Sequence, residues 1–125
     1  MTRFLLVCLG GALGTGARYL ISLAVGARAG AAFPVATLIV NLVGCFLLAL
    51  VLEVALATPS FPANLRVMLT TGFMGGLTTY STFNYETTRL FADGGSRTAV
   101  LNLTATVLGC FVAGLAGLLL ARRLV

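Results

Sequence analysis

The chain has 125 residues, 59% of them hydrophobic and 9% charged, with a mean hydropathy of +1.07 and a formal charge of +5. A soluble globular domain carries about 25% charged residues, so eight basic and three acidic side chains are too few to coat a water-facing surface. Disorder, which requires low hydrophobicity, is excluded by the same numbers. What remains is an all-α integral membrane protein. A spanning helix takes about 20 apolar residues, so residues 1–125 accommodate a single transmembrane domain of four spans with short loops.

The first uncharged stretch, Phe4 to Ala17, is interrupted by Arg18 and continues to Val25. Its apolarity outruns a signal-peptide core, which predicts a retained helix. A loop with Gly26, Arg28 and Gly30 leads to Pro34 and a second span from about Pro34 to Leu52, closed by Glu53. Thr58-Pro59-Ser60-Phe61-Pro62 is a turn, since two prolines stop any helix. The third segment, Arg66 to Glu86, is long enough to span, yet Gly75-Gly76-Leu77-Thr78-Thr79 holds weak helix formers at nearly every position. It reads as two half-helices with an unwound break near the membrane centre. Such backbone is tolerated only where protein buries it or it lines a polar cavity. After a loop at Asp93-Gly94-Gly95-Ser96, the last span runs from Thr98 to Ala121, closed by Arg122 and Arg123.

Four spans put Arg3, Arg66, Arg122 and Arg123 on one side and Arg28, Arg89 and Arg97 on the other. The Lys/Arg excess that orients membrane proteins is nearly absent. Either the chain inserts weakly in one direction or it inserts in both, and dual insertion would allow an antiparallel, dual-topology homodimer whose sites lie near the midplane, as in inverted repeats. The scattered arginines read as interfacial anchors, with no clustered patch for nucleic acid. Gly10 and Gly14, and Gly72 and Gly76, form G-x-x-x-G pairs, and Gly109, Ala113 and Gly117 form a small-residue stripe. Both patterns let helix backbones approach closely in lipid.

Several polar residues lie inside apolar runs. Arg18 reads as a vestibule charge or a snorkelling anchor. Asn41 interrupts the second span with an amide that lipid cannot satisfy, for a pore or for an interhelical hydrogen bond. Asn102, Thr106 and Cys110 share one face of the last helix at four-residue spacing, as an ion track or as packing glue. Tyr80 and Phe83 share a face beside Ser81, Thr82 and Asn84, and ring edges are electropositive. Cys8, Cys45 and Cys110 form no metal or disulfide spacing and read as small buried hydrophobes. With no His and no nucleophile–base–orienter set, the chain reads as no enzyme.

The segment Gly75-Gly76-Leu77-Thr78-Thr79-Tyr80-Ser81-Thr82-Phe83 closely resembles the signature of the Fluc (CrcB) fluoride channels. Gly10 to Gly14 with Arg18-Tyr19, Thr37 to Gly44, and Asn102 to Cys110 fit the same family, so the resemblance covers essentially the whole chain. It implies an antiparallel dimer in the bacterial inner membrane, with two passive fluoride pores that let the trapped anion leave the cytoplasm. A structural sodium ion would bridge the third-span breaks through the backbone carbonyls of Gly75 and Thr78. Carried over by motif, Asn41, Tyr80, Ser81, Thr82, Phe83 and Thr106 would line the fluoride path, Arg18 the vestibule, and Glu86 the pore mouth. The family pattern has Phe at the position of Tyr80, so a hydroxyl here adds a donor and bulk beside the ion, and slower passage is expected. Cys110 stands where Ser is common. The rival readings are a small dual-topology drug/proton antiporter, which should carry a first-span Glu that this chain lacks, and a membrane assembly subunit with no transport.

Overall fold

The computed structural model describes residues 1–29 and 33–125, the side chains of residues 27–29 excepted, and the described residues are helical with short connections. Helices α1 (Thr2–Ala29), α2 (Val35–Ala57) and α6 (Ser96–Leu124) are the long ones. Each contains a stretch long and apolar enough to cross a membrane: Thr2–Gly26, Val35–Ala57 and Ser96–Leu124. The remaining path is assembled from α3 (Ala63–Val67), a π-helical stretch Met68–Met74, α4 (Gly75–Leu77) and α5 (Tyr80–Ala92). Thr78 and Thr79 between α4 and α5 are extended, at φ −82°, ψ 156° and φ −152°, ψ 106°.

Three boundaries differ from expectation. Helix α1 continues through Gly26 and Arg28 to Ala29, because a lone glycine does not end a helix whose neighbours favour it; Gly30 lies outside the described residues. Helix α2 carries Glu53 in its penultimate turn and ends at Ala57, where the prolines begin. Glu53 is retained there by Arg122 of α6, at 3.2 Å. Gly75 and Gly76 are helical despite their weak propensity, as is Leu77, a good helix former, so the interruption is confined to two threonines. The π-helical stretch before them, a widened turn of a kind often found at functional sites, is a feature propensity did not disclose.

Glycines position that segment. A methyl group on Gly10 or Gly14 would strike the carbonyl of Met68 or Phe73, and one on Gly76 would strike the carbonyl of Gly11. The two G-x-x-x-G motifs therefore face each other, and α1 lies backbone to backbone against the π-helical stretch and α4. The most extensive pairing is α2 with α6, where Gly109 receives Leu42 and Gly117 lies against the backbone of Phe46. Gly44 of α2 leaves room for the methyl group of Thr78, which seats the break against α2. Val40, Met74 and Leu77 form the core, with Ala17, Ile21, Leu47 and Phe73 packed around it.

The ends of the helices fix the path. Arg3 at the start of α1 donates to Asn64 of α3 at 3.2 Å, so the third segment begins at the end of the molecule where α1 begins. It finishes beside Phe33 and Pro34, which share a cavity with Tyr85, Arg89 and Asp93. Helix α5 then closes in a Schellman turn: Gly95 N–H bonds Leu90 at 2.8 Å, Gly94 N–H bonds Phe91 at 3.1 Å, and Gly94 takes the left-handed φ of +83°. The segment thus runs from the end of the fold where α1 starts to the end where α2 starts. Phe4, Leu5, Leu9, Leu13 and Leu20 of α1, and Leu101, Leu108, Phe111 and Val112 of α6, face outward, an apolar exterior suited to lipid.

Candidate functional site

The site grows from the two extended threonines. Their backbone has left the helical ladder, and Asn41 of α2 supplies the missing partners. Its Oδ1 accepts from Thr79 N–H at 2.8 Å, and its Nδ2 donates to Thr79 C=O at 3.1 Å. Asn41 and Thr79 are both buried, so these two bonds satisfy a backbone N–H and C=O that burial would otherwise leave without partners. The Thr79 hydroxyl then caps α5, accepting from Thr82 N–H at 3.3 Å and donating to the Thr82 hydroxyl at 2.9 Å. Ser81 Oγ lies 3.4 Å from the same oxygen.

Cavities open on both sides of this pair. One of about 280 Å³ is lined by Asn41, Cys45, Thr78, Tyr80, Phe83, Thr106 and Cys110, among others. The other, of about 250 Å³, is lined by Thr15, Arg18, Tyr19, Ser22, Thr37, Val40, Thr79 and Thr82. Asn41 faces the first and Thr79 the second. In the first cavity Tyr80 and Phe83 meet edge to face, with centroids 5.7 Å apart and planes at 61°. Phe83 is 4% exposed and Tyr80 76%. The Thr106 hydroxyl is buried and has no hydrogen-bond partner among the described residues. An unmet buried hydroxyl at a cavity wall is a donor and acceptor free for a guest.

From the second cavity the polar line continues through Thr37, whose hydroxyl donates to Glu86 Oε1 at 2.9 Å. Glu86 Oε2 is buried and unpartnered among the described residues, and Glu86 also lines the cavity of about 290 Å³ at the Phe33–Pro34 end. Arg89 there pairs with Asp93 at 2.9 Å. That carboxylate, by hydrogen bond and charge, raises the guanidinium above its ordinary pKa.

The residues singled out from sequence divide accordingly. Asn41, Tyr80, Phe83 and Thr106 converge on one cavity, Arg18 and Thr82 on the other, and Glu86 on a third. Ser81 is exposed, lies outside the linings of these three cavities, and meets the capping oxygen of Thr79 at 3.4 Å. The expected Asn102–Thr106–Cys110 track does not stay together. Asn102, 1% exposed, turns to α5 and donates to the Thr87 hydroxyl at 2.8 Å, which donates to Phe83 C=O at 2.7 Å. It anchors the helix that carries Phe83, while Thr106 and Cys110 line the cavity. Nor are all cysteines buried: Cys8 is exposed on α1, and Cys45 and Cys110 are half-buried. Sequence reasoning missed Thr79, Thr37 and Cys45. Thr37 could have been found, because it precedes Asn41 by four residues and so shares its face. Thr79 shows its role only through the hydrogen bonds of a cap.

Residues 5–118 match the family model for CrcB-like protein, Camphor Resistance (CrcB). The chain is 52% identical over 124 residues to the fluoride-specific ion channel FluC of Anaeromyxobacter sp. (strain K), covering 99% of this chain and 98% of the relative. It is 48% identical to the protein of the same name from Geobacter sulfurreducens, over 99% of this chain and 100% of that one. The relative from Sorangium cellulosum, also so named, is 45% identical over 100% of this chain and 98% of its own length. With these matches spanning three membrane-length helices and the divided segment between them, the chain belongs to the CrcB-like family and is a multi-pass bacterial membrane protein.

Proposed function

We propose that this protein is a passive fluoride-selective channel and that it works as an antiparallel dimer. The observation that carries this reading is the cavity where Asn41, Phe83 and the unpartnered Thr106 hydroxyl converge, in a chain whose full-length relatives are named fluoride-specific ion channels. Fluoride is small and strongly hydrated, so a pore must replace its water with close donors. Asn41 keeps one amide N–H after serving Thr79, Thr106 offers a hydroxyl, and Tyr80 and Phe83 offer electropositive ring edges. Arg18, beside Thr82 in the neighbouring cavity, draws anions toward the path, and Thr37 and Glu86 continue it to the other mouth. The chain is not an enzyme; it lowers the barrier to passage and makes or breaks no covalent bond. Fluoride that enters as neutral HF ionises in a near-neutral cytosol, and an inside-negative potential drives the anion out by about 2.3 kcal/mol per 100 mV.

The dimer is supported by what one copy leaves open. Thr71, Gly75, Ser81 and Asn84 are exposed on the divided segment, and polar side chains facing lipid are costly. A second copy inserted in the opposite sense covers them and fits the balanced arginines. The break sits near the membrane centre in this arrangement, and its carbonyls suit a structural sodium ion. Thr79 N–H, which would bond Gly75 C=O in a continuing helix, is taken by Asn41, and Thr82 N–H, which would serve Thr78 C=O, is taken by the Thr79 hydroxyl. Oxygens without a helical donor at the negative end of a half-helix are suited to a hard cation. Gly75 and Thr78 would hold the ion, which ties the breaks of two copies together.

Efflux from liposomes holding the purified protein, followed with a fluoride electrode and repeated with chloride, tests the reading. Fluoride flux well above chloride flux is expected; equal or absent flux of both overturns it. Neither an antiporter nor an assembly subunit gives ungated, proton-independent fluoride efflux.

A further inference from the structure

The candidate pore wall contains two thiols that its proposed chemistry does not use. Cys45 of α2 and Cys110 of α6 both line the cavity shared with Asn41, Phe83 and Thr106, and both line the apolar groove that continues from it between the same two helices. A methyl group built on Gly114, one turn beyond Cys110, would lie 3.9 Å from the carbonyl of Cys45, so the helices meet at this level. Both cysteines are free thiols and half-buried, open to the cavity and fixed by rigid helices, while Cys8 lies exposed on α1, away from both cavities.

We propose that Cys45 and Cys110 form a two-coordinate site for a soft, thiophilic cation of the Cu(I), Ag(I) or Hg(II) type, and that its occupation blocks the ion path. The location of the block rests on the fluoride-pore reading; the binding itself does not. Two thiols give up two protons and bind one metal ion as a dithiolate, with no change of oxidation state. Soft sulfur ligands select soft ions, whereas zinc prefers four ligands. No group of three or more His, Cys, Asp or Glu that could hold a metal is present among the described residues. The site therefore discriminates by coordination number. Because the second thiol closes onto the metal intramolecularly, the pair retains it about 100-fold more strongly than one thiol does.

The test uses the reduced protein carrying Cys8→Ala, with Hg(II) nitrate as the probe, beside the same protein with Cys45→Ser or Cys110→Ser. Intact mass after challenge with excess monothiol reads the metal, and maleimide labelling reads the thiols. Expected are one metal per chain, simultaneous protection of both thiols, and loss of retention by about 100-fold in either single variant. Two metals per chain, or retention unchanged in a single variant, overturns the site. Fluoride efflux from the same preparations reads the block: it stops with one equivalent of metal in the two-thiol protein and returns with a dithiol chelator. Retained metal with undiminished efflux overturns the block and leaves the channel reading standing. Absence of efflux before any metal is added defeats the channel reading and with it the block, while mass and labelling still decide the site.

Discussion

Asn41 and Thr79 exchange two hydrogen bonds, of 2.8 and 3.1 Å, across the seam between α2 and the interrupted segment. The side chain of one thus completes the backbone of the other. Asparagine is suited to this because its amide presents one acceptor and two donors, matching a peptide N–H and C=O and leaving one N–H over. Aspartate accepts but cannot donate, and it places a negative charge on the proposed anion path. Asn41→Asp is therefore expected to abolish fluoride efflux. Asn41→Leu leaves a buried N–H and C=O unmet, at about 1–3 kcal/mol each, reduced where other groups compensate, as intramembrane hydrogen bonds often measure near 0.6 kcal/mol. Thermal unfolding in detergent checks the second, and liposome efflux the first.

Glycines separate packing within one copy from packing between copies. Gly14→Ala drives a methyl group into the carbonyl of Phe73 and should lower thermal stability by about 1–3 kcal/mol, the usual penalty for overpacking. Gly16→Ala meets nothing within 4 Å and should be neutral. Gly75→Ala also meets nothing within 4 Å in a single copy, and its φ of −62° is ordinary for alanine. A loss of dimer on size-exclusion chromatography from Gly75→Ala, with helical content unchanged, is expected if this face meets a second copy. A dimer as stable as the parent's would remove Gly75 from the interface and from the sodium site.

Thr106 distinguishes a conducting hydroxyl from a structural one. Its oxygen makes no hydrogen bond within the described residues, so Thr106→Val removes a buried polar atom that contributes nothing to the fold. Such a replacement is near neutral or stabilising. Efflux should nonetheless fall, because the wall loses its donor. Asn102→Leu should behave in the opposite sense, lowering stability through the severed Asn102–Thr87–Phe83 chain. If both variants unfold more readily and conduct alike, the hydroxyl is ordinary packing.

The membrane character was legible from composition alone, and the divided segment from Gly75-Gly76-Leu77-Thr78-Thr79, because both are averages over many residues. The facing of the two G-x-x-x-G motifs was half legible: each motif announces a close contact, but only the fold shows that they contact each other. What stayed hidden depends on direction. Asn102 and Thr106 share a helix face by spacing, yet one side chain turns to Thr87 and the other to a cavity, a choice made by the neighbouring helix. Helix α1 ran past Gly26 for a similar reason, since a breaker's effect is small against the helix around it.

Tyr80 and Phe83 meet edge to face at 5.7 Å, and Tyr80 differs from a phenylalanine, the residue the family resemblance leads one to expect there, only by its hydroxyl. Tyr80 is 76% exposed in one copy. Removing the oxygen therefore disturbs no internal packing, and Tyr80→Phe should leave unfolding unchanged while raising the rate of fluoride efflux. Phe83 is in the reverse position. It is buried and held by the carbonyl that Thr87 engages, so Phe83→Ile loses both volume and the ring edge. The volume lost should cost about 1–3 kcal/mol in stability, and the missing edge should abolish efflux even at temperatures where the variant is folded. Efflux persisting in folded Phe83→Ile would mean that the ring only fills space, and the anion path would then have to run along Asn41 and Thr106 alone.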